Sequence, residues 1–450
     1  MASPFDRLPV ELVDEIFEWL CPFCATPVGF ANVKDWGSNT FGSKYDKADA
    51  LLQLTRTCKL VNAVATPHLY HHPMTSRWWL LARTLLARPD LGLHVRSLLD
   101  NDKLRHRPIA ENTVLAPFPT EVQSHFADSA LARATEEERH AITDISLPWR
   151  DRMTWSDSSE TLDMLVSLCP EVQEVKAKVG TLNTPNILIW SPPASLPNLR
   201  RFELSKSSPG AGLSLNLLAQ VATTAPNLTS VALFAVEQNA SSLQTLPAMP
   251  SLVALALRNA AICSETLRKL LAVCPNLQSF TYHGAPPGAH ERVTRTEIAH
   301  ALVGAAPNLT SLELILDPDD PMNLAPTDLM MPSLAGLSKL EHLTLTLDCV
   351  LPGGSSRAIP ITSLSSMLLV SLLPASIRTL SLLWFGLYFS VATEPLLRLA
   401  SAAPDRFRSL KSVHVSLLRN GLPGYEEKCA EVVAAFEKLG VEILMTPLHI

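Results

Sequence analysis

The 450-residue sequence lacks the signatures by which most enzyme classes are recognised. It holds no Gly-x-x-x-x-Gly-Lys-Ser/Thr phosphate loop, no Gly-x-Ser-x-Gly nucleophile elbow and no His-Glu-x-x-His pair. Gly210-Ala-Gly212 lacks the third glycine of a dinucleotide fingerprint. Gly353-Gly-Ser-Ser has only the composition of a loop, and Asp317-Pro-Asp-Asp320 lacks the ordered spacing of a calcium loop. No enzymatic activity is expected. Positive charge is not in excess either: 37 Lys and Arg face 43 Asp and Glu, a net charge of -6, so nucleic acid is not an expected partner. The N-terminal MASPFDRLP has no basic-plus-apolar signal pattern. The most apolar run, Met367 to Ala392, is interrupted by Pro374 and Arg378, and Thr379 to Ala392 falls short of the roughly 20 residues of a spanning helix. Membrane association is therefore not expected, and the compartment is expected to be cytoplasmic, nuclear or both. The eight cysteines are scattered, which suits small buried thiols in a reducing environment better than a disulfide framework.

What is present is apolar and periodic. The apolar fraction is 47 %, enough for a folded chain built as one extended repeat array or as several compact domains. Phe5 to Leu20, FDRLPVELVDEIFEWL, reads as a short helix with Pro9 in its first turn and Glu11, Asp14 and Glu15 near the positive end of its dipole. Leu12, Val13, Ile16, Phe17 and Leu20 form a stripe wider than one small helix can cover by itself. Burial of each such side chain contributes about 1.5–3 kcal/mol, so the stripe calls for a cover from this chain, from a partner, or from both. A loop-like stretch, Cys21 to Lys47, follows, and then a second helical pattern, Ala48 to Tyr70, with Pro67 near its end.

Together these segments resemble an F-box. Leu8, Pro9, Glu11, Leu12, Ile16, Leu20, Cys58, Leu69 and Tyr70 occupy the slots of that family's pattern, with a long insertion from Pro22 to Lys47 and Val61 or Asn62 where an aromatic or basic residue is usual. The resemblance covers Phe5 to about His72. It implies a helical module that docks a Skp-type adaptor through Leu8, Pro9, Leu12, Ile16 and Leu20, and through it a cullin ligase.

Arg77 to Asp100 reads as a helix followed by a strand near His94 to Leu98, and is similar to the segment after the F-box in fungal repeat proteins. Asn101 to Asp157 has less pattern, and its run Glu136-Glu137-Glu138 reads as a solvated face or loop. From Thr161 a phrase Pro-x-Leu-x-x-φ-x-φ, with φ apolar, recurs every ~24 to 37 residues: CPEVQEVKAKV, LPNLRRFELS, APNLTSVALF, MPSLVALALR, CPNLQSFTYH and APNLTSLELI, with weaker copies at Leu337, Ala375 and Phe407. Alternation sends the apolar positions to one side of a strand and their neighbours to the other. Helical patterns at Leu215–Ala225, Ser264–Cys274, Thr296–Ala306 and Thr393–Ala403 separate the strands, and Tyr425–Leu439 with Val441–Met445 reads as an end cap. Asn227-Leu-Thr and Asn308-Leu-Thr match a glycosylation pattern but belong to the repeated phrase.

One strand and one helix per unit, with Leu at fixed offsets, is the logic of leucine-rich repeats. The expected fold class is α/β: an F-box-like helical module at 1–75 with an inserted loop at about 22–47, a connecting helix, strand and irregular insertion at 76–160, and a leucine-rich-repeat solenoid at 161–450, with parallel strands on the concave face and helices on the convex face. Outward strand positions on the concave face are candidates for binding a target protein: Lys176, Lys178, Arg201, Glu203, Phe234, Arg258, Thr281, His283, Glu313, His342, Thr344 and His414. An F-box joined to such repeats looks like a substrate receptor of a Skp–cullin–F-box ubiquitin ligase. The alternative is a repeat scaffold outside any ligase.

Cys21-Pro-Phe-Cys24 has the spacing of a zinc ligand pair or a redox dithiol, and His68, His71 and His72 could complete a site. No second pair with a recognised ligand spacing accompanies it, so the expectation is core or loop thiols, with no metal and no cofactor.

Overall fold

The computed structural model describes residues 8–21, 23–24, 41–73, 78–99, 162, 165–179, 196–206, 212–238, 245–285, 293–316, 331–346, 367–383, 390–418 and 425–448. The Glu136, Asp317 and Gly353 segments read above lie outside them. The chain divides into two compact units, 1–210 with 223–228, and 211–222 with 229–450.

The first unit opens with α1 (Val10–Leu20). Pro9 stands one residue before the helix as its cap, in extended conformation, and its carbonyl accepts the N–H groups of Leu12 (3.1 Å) and Val13 (3.2 Å). A residue without its own N–H is well placed there, because that group would have no partner inside the helix. α2 (Phe41–Leu54) starts inside the segment expected to be loop as far as Lys47. Its first turns carry no apolar period; the anchor lies downstream, where Leu51 is fully buried. The helical pattern expected over 48–70 is broken into α2 and α3 (Lys59–His71). At the break the hydroxyls of Thr55 and Thr57 donate to the carbonyls of Leu52 (2.7 Å) and Leu54 (2.8 Å), and the Asn62 amide donates to the Thr55 carbonyl (2.7 Å). Side chains that bond nearby backbone in this way favour turns over helix interiors. Val13, Phe17, Cys21, Leu51, Val61 and Ala65 form the core of this three-helix module, with Leu20, Phe23, Leu54, Cys58, Val64 and Leu69 packed around it.

α4 (Trp78–Ala87) and the single turn α5 (Pro89–Gly92) lead into β1 (Ser97–Leu99), following the expected helix–strand order. The module is tied to this strand at its root: Arg96 N–H donates to the His71 carbonyl (3.0 Å), and buried His72 meets Ser97 Oγ at 3.0 Å. β2 (Glu174–Val179) and β3 (Arg201–Lys206) extend β1 in parallel, in the order β1-β2-β3.

The second unit repeats one idea. Its strands are β4 (Ser230–Phe234), the two-residue β5 (Glu237–Gln238), β6 (Ala254–Ile262), β7 (Ser279–Gly284), β8 (Ser311–Ile315), β9 (His342–Thr346), β10 (Thr379–Leu383), β11 (Ser412–Leu418) and β12 (Glu442–Leu448). They run in parallel in the order β4-β6-β7-β8-β9-β10-β11-β12, with β5 beside β6. Helices fall at Asn216–Thr224, whose last two residues belong to the first unit, and at Ser264–Ala272, Arg295–Ala305, Ser390–Arg406 and Tyr425–Glu437, within a few residues of the expected spans; the short helix Leu368–Leu372 lies in an apolar run where no helix was expected. The apolar positions of each phrase are buried, as in Leu252, Leu255 and Leu257, or Leu309, Leu312 and Leu314. The architecture is α/β with parallel strands, compatible with a repeat solenoid. Among the described residues no helix is long and apolar enough to cross a membrane.

The repeated phrase explains how neighbours lock together. In CPNLQSFTYH, Leu277 N–H closes a turn onto the Cys274 carbonyl (3.2 Å), with Pro275 where its fixed φ suits the turn. Gln278 and Ser279 then both donate to the Val253 carbonyl of the preceding repeat (2.9 Å each), and the Asn276 amide reaches back to the Pro250 carbonyl (2.9 Å). Asn308 does the same to Pro275 (3.2 Å), and in the first unit Asn227 does so to Pro197 (2.8 Å). Both asparagines of the Asn-Leu-Thr matches are thus parts of the repeat. Replacing Asn276 and Asn308 together by alanine is expected to lower stability by about 1–3 kcal/mol, since each bond contributes about 0.5–1.5 kcal/mol net. Urea denaturation followed by circular dichroism measures this, and an unchanged midpoint would show that the back-bonds are idle.

Candidate functional site

α1 is amphipathic in two senses at once. Val13 and Phe17, four apart, are each only 1 % exposed and fasten the helix to the module core. Leu12 and Ile16, also four apart, stand 47 % and 45 % exposed, flanked by exposed Leu8, Pro9 and Val10. Leu20, expected on the docking surface, is half-buried against the core instead. Trp19, absent from the expected set, stands seven residues after Leu12 and three after Ile16, on the same side of the helix, and is 72 % exposed. Its size and amphipathic ring suit it to an interface, where tryptophan is enriched.

The other end of α1 carries different chemistry. Cys21 caps the helix, its N–H donating to the Phe17 carbonyl (2.7 Å), and Cys24 follows in a turn. On α3, His68 and His71 are three residues apart and so share one face. The fold sets this face against the cysteines. Cys24 Sγ lies 3.2 Å from His71 Nδ1 and 3.9 Å from His68 Nδ1, while Cys21 Sγ lies 3.7 Å from His71 Nδ1. One donor atom from each of the four residues lies within 4.8 Å of all the others. His68 and His71, two of the three histidines named from the sequence, thus face the cysteine pair at a helical spacing rather than a familiar ligand spacing. His72 is not part of the group, since it turns to Ser97.

The electrostatics favour a thiolate. Cys24 hydrogen-bonded to Cys21 pulls the Cys21 pKa well below the thiol range against the opposing effect of burial, with His68 and His71 adding to the pull. The shared proton correspondingly raises Cys24, helped by burial and by the negative charges of Cys21, Glu18 and Asp14. Burial lowers the His68 pKa, but its bonds to Cys21 and Asp14 outweigh this and raise it. Elsewhere burial alone pushes Cys169 and Cys274 up to about 12, which makes them inert core thiols.

The polar strand positions share one face within each unit, as expected. In the first unit Lys176 pairs with Glu203 (Nζ–Oε1 3.0 Å); Arg201 is half-buried, and Lys178 lies on β2 with its side chain outside the described residues. In the second unit the Arg258 guanidinium lies 5.1 Å from the Phe234 ring centre, a cation–π pair across β4 and β6. His283 meets Glu313 (2.9 Å), His342 meets Thr379 (2.7 Å) and His414 meets Thr446 (2.9 Å), while Thr344 sits half-buried among them. Two expected outward residues are corrected: Glu203 and Thr281 are each only 4 % exposed. Flanking strands at ladder spacing crowd a short or paired side chain on the sheet face, so alternation predicts the side but not the exposure. The face is a row of cross-strand pairs, and a ligand would meet it as pairs rather than as separate charges. No family model matches this chain, and a search of curated proteins returns no match.

Proposed function

We propose that the chain is a non-catalytic receptor: an F-box-like module docks a Skp-type adaptor of a cullin ubiquitin ligase, and a leucine-rich-repeat solenoid holds a target protein. The observation that carries this reading is the division of α1. Val13 and Phe17 satisfy the module core, yet Val10, Leu12, Ile16 and Trp19 on a helix of 11 residues, and Leu8 just before it, remain largely in water. Leaving that much apolar surface exposed forgoes roughly half of the ~1.5–3 kcal/mol that full burial of each such side chain contributes, which favours a standing partner. The resemblance of Leu8, Pro9, Glu11, Leu12, Ile16 and Leu20 to the F-box pattern supports the Skp-type adaptor as that partner. The mixed, paired strand faces suit a protein surface better than a small-molecule pocket. The chain's contribution would be proximity, presenting a target lysine to ubiquitin-charged enzyme carried by other subunits.

Co-purification of the full chain with a Skp-type adaptor tests this. Capture is expected from wild type and is expected to be lost in Leu8→Asp/Ile16→Asp, with far-ultraviolet circular dichroism unchanged because both side chains are exposed. If wild type fails to capture the adaptor, or the folded double variant captures it equally well, the ligase reading falls. The remaining reading would then be a repeat scaffold that recruits no ligase.

A further inference from the structure

We propose that Cys21, Cys24, His68 and His71 form a structural zinc site that clamps the C-terminal end of α1 to α3. This goes beyond the adaptor reading and does not depend on it. The donor set is two thiols and two imidazoles with no oxygen ligand, which suits a borderline-soft d¹⁰ ion and disfavours calcium or magnesium. Zn–S and Zn–N bonds of about 2.3 and 2.0–2.1 Å place the donors of a tetrahedral shell ~3.3–3.8 Å apart. The sulfur–nitrogen separations of 3.2, 3.7 and 3.9 Å straddle that interval and all four donor atoms lie within 4.8 Å of one another, so side-chain adjustments of about an ångström or less would complete the shell.

Two details beyond the cluster point to a ligand. Asp14 Oδ1 accepts from His68 Nε2 at 2.8 Å, although the carboxylate is half in solvent and the imidazole is buried. A proton held on Nε2 leaves Nδ1 bare, and Nδ1 is the atom turned toward Cys24. A carboxylate that fixes the far nitrogen of a ligating histidine is a recurrent support of zinc sites. In addition, the Cys24 N–H points at Cys21 Sγ (3.5 Å), a backbone donor aimed at a sulfur that must carry negative charge to bind metal. A redox dithiol would call for neither the second histidine nor the fixed tautomer. Four protein ligands leave no open coordination position, so the role is structural rather than catalytic. The clamp would set the angle of α1, and with it the presentation of Leu12, Ile16 and Trp19.

The test is made on the full chain, free of any polyhistidine tag and purified under reducing conditions with zinc supplied. Elemental analysis is expected to find one zinc per chain, and cobalt(II) added to metal-stripped protein is expected to give the strong visible absorption of a tetrahedral site with a thiolate-to-cobalt band. Cys24→Ser and His71→Gln are expected to lose the metal, and Cys263→Ser to keep it. Asp14→Asn is expected to keep zinc but to release it to a competing chelator at roughly 10–100-fold lower chelator concentration. Substoichiometric zinc in the wild type, an octahedral cobalt spectrum, or Cys24→Ser retaining metal like wild type would each overturn the proposal. If the variants fail to fold, the wild-type zinc content and cobalt spectrum decide by themselves. These readouts are taken without the adaptor, so the two proposals fail separately.

Discussion

Phe17→Ala is expected to unfold the N-terminal helical module, while Ile16→Ala, one residue away, leaves its stability within about 0.5 kcal/mol of wild type. Phe17 is 1 % exposed, packs with Val13, Cys21, Leu51, Val61 and Ala65, and has its ring centre 6.2 Å from that of His68. Truncating such a phenylalanine costs about 3–5 kcal/mol, through lost transfer energy and the cavity left behind. A core of this few residues commands only a few kcal/mol in total, so the loss consumes most of the module's stability. Amide hydrogen exchange over α1 to α3 reads the effect locally. Adaptor capture is expected to weaken in both variants for different reasons: Ile16→Ala removes contact area from an intact helix, whereas Phe17→Ala removes the helix. Equal loss of protection in the two would mean that the buried and exposed sides of α1 have been misassigned.

Two glycines are expected to respond to alanine with opposite signs. Gly92 ends α5 in the first unit, buried, and a Cβ there would sit 2.1 Å from the Leu168 carbonyl oxygen. That neighbour is backbone and cannot rotate away, so the helical turn and the segment carrying Leu168 must separate. Overpacking of this kind costs about 1–3 kcal/mol, and the upper part of that range is expected for Gly92→Ala. Gly304 lies in the last turn of the Arg295–Ala305 helix with nothing within 4 Å of a built Cβ. Gly304→Ala is expected to stabilise by about 0.5–1 kcal/mol, because alanine loses less backbone freedom on entering a helix. Chemical denaturation of the two variants beside wild type measures both. A Gly92→Ala chain as stable as wild type would contradict the close approach.

The parts of this molecule legible in its sequence are those governed by local periodicity. Phe280 and Tyr282, and Leu312 and Leu314, alternate with polar neighbours such as Thr281 and Glu313, and a two-residue period admits only one assignment of faces. The helices between strands were readable for the same reason, with prolines such as Pro275 and Pro307 marking where each ends. What periodicity could not show was decided by distant contacts. The start of α2 at Phe41 has no apolar rhythm of its own, and Glu203 looks exposed by alternation yet is covered by its sheet neighbours. Trp19 shares the side of Leu12 and Ile16 at steps of seven and three, whereas Leu20, at a step of four from Ile16, turns to the core, and only packing separates the two. The Cys21–Cys24 pair was visible as spacing and His68, His71 and His72 were named beside it, but with 44 and 47 residues between Cys24 and the two that face it, spacing could not choose among the three. Only helix packing shows that His68 and His71 face it.

The back-reaching asparagines carry a consequence for how such a chain can change length over generations. Asn276 bonds Pro250 and Asn308 bonds Pro275, so the repeat that carries Asn276 supplies to its successor the same acceptor that it takes from its predecessor. A duplicated repeat inserted between two others would find its donor's partner waiting and would present an identical acceptor to the next. Gain or loss of a whole repeat therefore leaves no severed bond at the joint, whereas gain or loss of half a repeat severs several. Inheritance would edit this chain in units of about 24–37 residues. The paired residues on the strand face could then be reshuffled repeat by repeat, while the N-terminal helices kept a constant means of attachment.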